Sequence, residues 1–194
     1  VAPGGDAALL AADATLEVGE AAGGKITLDL SGLLGGTAEN TGSIDVASSS
    51  TTQGGSATIL GEQVAVSGTV DASGATGGGL VRIGGDYQGQ NANLANAQST
   101  NISGTISADS SSNGDGGRII VWADGVTTFT GDLSATGSGS GSGGFAEISG
   151  KNILNFEGSV DLTSASGVSG TLLLDPTNIT ISNVGSHTSI SGST

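Results

Sequence analysis

The chain contains no cysteine, which excludes a disulfide framework and any thiolate site while leaving its compartment open. Only 4 of its 194 residues are lysine or arginine against 18 acidic ones, a formal charge of −14. A surface so short of positive charge disfavours nucleic acid and anionic membranes, both of which are recognised through a positive field. No apolar run approaches the roughly 18 residues that cross a bilayer, and no basic-plus-apolar leader is visible. The sequence is therefore expected neither to span a membrane nor to direct its own export. With one histidine, His187, and no cysteine, the common transition-metal sites cannot be assembled, so no cofactor is expected and His187 reads as a surface residue. Aromatics are equally scarce: one Trp, one Tyr and three Phe beside 37 glycines and 2 prolines. That composition ordinarily marks a disordered chain, because little apolar area offsets chain entropy.

The placement of Val, Ile and Leu argues the other way, for they recur at fixed offsets from paired glycines. The copies read "GGKITLDLSG" from Gly23, "GGSATILGEQVAVSGTVDAS" from Gly54, "GGLVRIGGDYQG" from Gly78, "GGRIIVWADGVTTFTGDLSA" from Gly116 and "GGFAEISGKNILNFEGSVDL" from Gly143. A sixth, "SGTLLLDPTNITI" from Ser169, has serine in place of the first glycine. Successive starts differ by 31, 24, 38, 27 and 26 residues, and repetition on this scale is the signature of a solenoid. Within a copy, apolar residues alternate with polar ones, break at a glycine and alternate again. Period two means strand, and glycine lets the chain bend between strands. Each copy is thus three short strands, one turn of an all-β parallel β-helix that buries its inward residues only when the next turn stacks on it.

Stacking predicts columns. On the first strand these are Ile26, Ala57, Val81, Ile119, Ala146 and Leu172, then Leu28, Ile59, Ile83, Val121, Ile148 and Leu174. The second strand contributes Val66, Ile102, Phe129 and Phe156, with the two phenylalanines adjacent. Past the bend glycines Gly42, Gly68, Gly104, Gly131 and Gly158 come Ile44, Val70, Ile106, Leu133 and Val160, then Val46, Ala72, Ala108, Ala135 and Leu162. Ile119, Val121, Phe129, Leu133, Ile148, Phe156, Val160, Leu172 and Leu174 are the candidate core. At ~4.8 Å per turn, six or seven turns make a rod ~30 Å long. Neither terminus reads as a convincing cap, although "DAALLAADATLEV" is a candidate covering helix. Residues 1–194 read as a single section cut from a longer rod.

Length variation in a solenoid maps to loops, often on the binding face. The third copy carries "GGDYQGQNANLANAQSTN", an insertion placed at residues 86–101, whose Tyr87, Gln88, Gln90, Asn91 and Asn93 are candidate ligand contacts. "TGSGSGSGG" at 136–144 reads as a flexible connection, and "NGDGGR" at 113–118 as a single, plain-turn echo of a calcium-binding repeat. Asp71, Asp132 and Asp161 fall at what reads as one outward position of the third strand. Such stacked acids suit cation binding or a solvated face alike. The basic residues Lys25, Arg82, Arg118 and Lys151 are scattered, and catalysis, which requires clustered carboxylates or a base in a cleft, is not expected. Thr27, Thr58 and Thr180 do not form the regular face of an ice-binding solenoid, because Arg82, Ile120, Glu147 and Leu173 interrupt them.

The strings "GGLVRIGGDYQG", "ISADSSSNGDGGRIIVWADGVTTFTGDLSATG", "GGFAEISGK" and "GTLLLDPTNITI" resemble the repeat region of large exoproteins of the filamentous-haemagglutinin type, which use two-partner secretion. The resemblance covers roughly residues 54–181. It implies a right-handed parallel β-helix, export to the surface or medium through an outer-membrane β-barrel transporter, and roles in adhesion, aggregation or biofilm formation, with haem acquisition in some members. Glycans or surface proteins of host or neighbouring cells are the partners it implies. The family's amino-terminal secretion domain is not visible here, and no family binding site falls on the matched residues. A carbohydrate-active β-helix enzyme and a spacer without ligand are the alternatives that the residues leave open.

Overall fold

The computed structural model describes residues 2–11, 18–21, 25–28, 35–49 and 52–177. Strands of three to six residues follow one another in rungs. The first rung is β1 (Asp6–Leu10), β4 (Thr37–Asn40) and β5 (Ser43–Asp45), with an antiparallel pair, β2 (Val18–Ala21) and β3 (Lys25–Leu28), between β1 and β4 in the sequence. The second is β6 (Ser56–Leu60), β7 (Gln63–Val66) and β8 (Thr69–Asp71); the third is β9 (Leu80–Ile83), β10 (Ser99–Ile102) and β11 (Thr105–Ser107). The fourth is β12 (Arg118–Ala123), β13 (Val126–Phe129) and β14 (Asp132–Ser134), and the fifth β15 (Phe145–Gly150), β16 (Ile153–Phe156) and β17 (Ser159–Asp161). β18 (Thr171–Leu173) begins a sixth.

Equivalent strands pair in parallel into one sheet of six and two of five, β1-β6-β9-β12-β15-β18, β4-β7-β10-β13-β16 and β5-β8-β11-β14-β17. The chain is a parallel β-helix. Its register is the column pattern: Val81 lies beside Ile119 and Ile119 beside Ala146, Ile102 beside Phe129 and Phe129 beside Phe156, Ile106 beside Leu133 and Leu133 beside Val160. The Phe129 and Phe156 rings stack with centroids 5.5 Å apart and planes 5° from parallel, a geometry that adds about 0.5–1.5 kcal/mol to their burial. Ile119, Val121, Phe129, Leu133 and Ile148 are buried, while Phe156, Val160 and Leu174 are half-buried against that core. Leu172 keeps its register opposite Ala146 but is 37% exposed, since β18 is the last strand of its sheet and pairs on one side only.

Several expectations are corrected. Ile26 and Leu28 are not in the first sheet, because β3 pairs with β2. Their places under Ala57 and Ile59 are taken by Ala7 and Leu9 of β1. The proposed covering helix therefore starts as a strand, in which alternate residues can face the core. Asp132 does not share a column with Asp71 and Asp161: it pairs with Ser159, whereas Asp161 pairs with Ser134 and Asp71 with Asp45 and Ser107. The inward Leu133 follows Asp132, and Asp161 follows the inward Val160, so the two acids lie two residues apart in register. Residues 99–101, assigned to the insertion, belong to β10. His187 and Thr180 lie outside the described residues, as does Thr27's side chain.

Some inward positions are polar. Thr100 and Thr127 are buried, and each donates its hydroxyl to a carbonyl of the next rung, Trp122 O and Ser149 O, both at 2.8 Å. A satisfied hydroxyl carries no large burial penalty. At the corners, glycine answers to space. The bend glycines stack one above another so closely that a Cβ on Gly104 would stand 1.9 Å from Gly68 O, and one on Gly79 would stand 2.0 Å from Gly55 O.

Candidate functional site

The insertion runs from Gly84 to Gln98, between β9 and β10, and lies over the outer face of the first sheet. Outward residues there are accordingly not solvated: Ile120 and Glu147 are fully buried and Trp122 is 4% exposed. A short 3₁₀ turn, Tyr87–Gly89, is opened by Asp86, whose side chain accepts the Tyr87 N–H at 2.8 Å. Gly89 adopts a left-handed φ of +62°, and a Cβ there would meet the Trp122 ring at 2.6 Å. Gln88 is the non-glycine residue at positive φ, 53°. That uncommon conformation turns its N–H onto both carboxylate oxygens of Glu147, at 3.0 and 3.2 Å.

Most of the insertion's polar groups are spent internally. Asn91 Nδ2 donates to Asp86 Oδ2 at 2.7 Å, and the Arg82 guanidinium pairs with the same oxygen at 3.1 Å. Burial works to raise the Asp86 carboxyl, but the hydrogen bonds from Asn91 and Tyr87 and the Arg82 charge outweigh it and hold it below the usual range. Asn96 Nδ2 bridges Gly89 O at 3.0 Å and Asp124 Oδ1 at 3.2 Å, and the Trp122 indole N–H reaches that same oxygen at 3.1 Å. Of the five candidate contacts, Tyr87, Gln90 and Asn93 are exposed, while Gln88 and Asn91 are half-buried tethers. A cleft of about 470 Å³ opens between the insertion and the end of the first sheet, bordered by Gln88, Gln90, Lys151 and Asp175.

A second, longer depression of about 990 Å³ follows the corner where each rung enters the first sheet. Glycine pairs floor it, and one wall is the column Asp6, Ser56, Leu80, Arg118, Phe145 and Thr171, the first residues of the six strands. Arg118 is exposed there. Its guanidinium carbon stands 4.9 Å from the Tyr87 ring centroid and 4.5 Å from that of Phe145, and the two rings meet edge-on at 5.9 Å. Across the groove, the two loops read as a single turn and a flexible connection are bonded to each other. Asn113 Oδ1 accepts from Ser140 N at 2.9 Å, and Asp115 Oδ1 accepts from Ser142 N at 2.7 Å.

Strand alternation alone misses that Glu147 and Trp122 are buried beneath the insertion and that Arg118 and Phe145 meet Tyr87. The signal for the cover over β12 is the unbroken apolar run of residues 119–123 within "RIIVWA", since a strand apolar on both faces is covered on both. Burial is the main reason the Glu147 carboxyl is raised; the Gln88 N–H, Ser149 and Arg118 partly oppose it, and Asp175 adds to it. A carboxyl whose folded pKa lies above its unfolded value contributes stability that is full below the unfolded range and lost as pH rises through the folded pKa. Glu147→Gln removes the ionisation and keeps an acceptor for Gln88. It is therefore expected to melt above the wild type at pH 7, with the difference closing near pH 4, in paired thermal melts across that range.

Among the described residues no group of three metal-ligating side chains occurs, and no helix is long and apolar enough to cross a membrane. No protein-family model matches the chain, and no curated protein sequence matches it.

Proposed function

We propose that this chain is a rod section of a secreted or surface-attached bacterial exoprotein of the filamentous-haemagglutinin type, with a structural and adhesive role in cell contact, aggregation or biofilm formation. The observation that carries the reading is the β-helix itself, in which the strings behind the resemblance supply first-sheet strands, corner glycines and core columns. A stack of rungs presents surface at a distance from its anchor, and its outward residues on the third sheet, among them Thr69, Asp71, Thr105, Ser107, Ser159 and Asp161, are solvated polar groups. Export through an outer-membrane β-barrel transporter, and glycans or surface proteins as partners, belong to the same proposal. The chain is proposed not to be an enzyme. Asp132 and Asp161, on which a hydrolase reading would rest, stand in different columns, and Ser159 Oγ donates to Asp132.

The test is binding of the purified chain to whole cells and a glycan panel, with and without calcium. Deleting residues 88–98 would uncover Ile120, Trp122 and Glu147, so Tyr87→Ala is the cleaner variant of the insertion. Binding by the intact chain is expected. No binding to any cell or glycan would make the section a spacer. Polysaccharide turnover abolished by Asp132→Asn with Asp161→Asn would replace the adhesive reading with an enzymatic one.

A further inference from the structure

We infer that the Tyr87–Arg118–Phe145 stack and the glycine-floored groove beside it form a binding site for an acidic polysaccharide, one bearing sugar carboxylates; this rests on the adhesive reading and names its site and ligand class. Arg118 is one of only four basic residues in a chain of charge −14. Among the described residues the ion pair is between Arg82 and Asp86; no carboxylate stands within ion-pair distance of the exposed Arg118 guanidinium, although its charge reaches Glu147. It is nevertheless held in place, between Tyr87 at 4.9 Å and Phe145 at 4.5 Å. A guanidinium held against aromatic rings keeps its N–H donors for a carboxylate, which they match in bidentate fashion. A guanidinium already fixed loses less freedom on binding than one on a mobile stem.

The groove decides what carries the carboxylate. It continues along the rod on either side of Arg118, past Ser56 and Leu80 in one direction and Thr171 in the other, which suits a long unbranched chain. Its floor cannot receive a peptide by strand addition. The glycine N–H groups already serve the rungs: Gly54 N donates to Gly77 O, Gly78 N to Asp115 O, Gly79 N to Ala72 O, Gly116 N to Ser142 O and Gly143 N to Val168 O. These floor glycines offer a polypeptide no free N–H for strand addition, whereas a polysaccharide relies on hydroxyl contacts and ring stacking instead. Asp115 stands in the opposite wall and Asp6 at the far end of the wall that holds Arg118, so like-charge repulsion leaves the neighbourhood of Arg118 as the place for the ligand's carboxylate.

The experiment is calorimetric titration of the full chain with an oligomer of galacturonic acid, its neutral galactose counterpart and a polyglutamate peptide. The acidic sugar is expected to bind and the other two not. Arg118→Gln is expected to weaken it about tenfold or more, as loss of a charge-assisted hydrogen-bond pair does. Arg118→Lys, which keeps the charge and loses the fork, should also weaken it, with the strand spectrum of both variants unchanged. Undiminished binding by Arg118→Gln, or equal binding of the neutral sugar or of polyglutamate, would overturn the inference. If the acidic oligomer fails while cells or another glycan bind, this site is wrong and the adhesive reading stands; if nothing binds, both fall.

Discussion

Phe129→Asp is expected to unfold the central rungs. Phe129 is fully buried, between Ile102 below and Phe156 above. Truncation of such a ring to alanine alone costs about 3–5 kcal/mol. An aspartate adds a carboxylate to the rod's interior with no cation there to meet it, and either burying the charge or forcing its protonation costs several kcal/mol more. The sum approaches the whole stability of an ordinary domain, about 5–15 kcal/mol. Thermal melts followed by circular dichroism should show the cooperative strand transition lost or lowered by tens of degrees. Phe156→Ala supplies the comparison: its side chain is only half-buried, so its penalty should be clearly smaller than that of Phe129→Ala. Equal penalties would mean that the column does not end where the register says it does.

Gly104→Ala should also be clearly destabilising, although it adds only a methyl group. A Cβ at Gly104 would lie 1.9 Å from Gly68 O, with Ser67 C at 2.8 Å. The obstacle is backbone, so no side chain can swing away, and rungs held by hydrogen bonds such as Thr105 N to Gly68 O at 3.0 Å would have to part. Overpacking of this kind costs about 1–3 kcal/mol or more. Gly42→Ala is the control. It occupies the equivalent position in the first rung, where nothing stands within 4 Å, and it should leave the melting midpoint nearly unchanged. A similar drop in both variants would show that the bend requires glycine for its conformation and not for the space between rungs.

The two glycine positions show how far the chain could be read before its structure was known. Gly42 and Gly104 occur in the same pattern and read alike as bends; only the neighbour below Gly104 distinguishes them. The columns through Ile102, Ile106 and Ile119 were legible because an inward residue of a solenoid is specified twice, by alternation within its strand and by recurrence between copies. Where one of those two signals failed, so did the reading. The copy at Gly23 alternated correctly, yet β3 pairs with β2 and the first rung is supplied by β1, a choice that depends on which segment can return to the edge of β6. Asp132 and Asp161 read as one column from the strings "GDLS" and "GSVD", yet the inward residue is third in both, and the acids flank it on opposite sides, two positions apart.

The candidate site was less legible than the fold, for a physical reason. Tyr87 and its neighbours stood out because an insertion departs from the repeat, but nothing local says where an insertion comes to rest. The amino-acid sequence alone determined the strand period, the turn length and the identity of the core columns, because those follow from alternation and from the need of each rung to bury its inward face on the next. Only the tertiary structure decided that residues 84–98 fold back over β12 and β15, burying Ile120, Trp122 and Glu147. It alone brought Tyr87 onto Arg118 and Phe145. Those contacts join positions 31 and 58 residues apart in the chain, and they depend on the stacking distance between rungs, which no single repeat encodes.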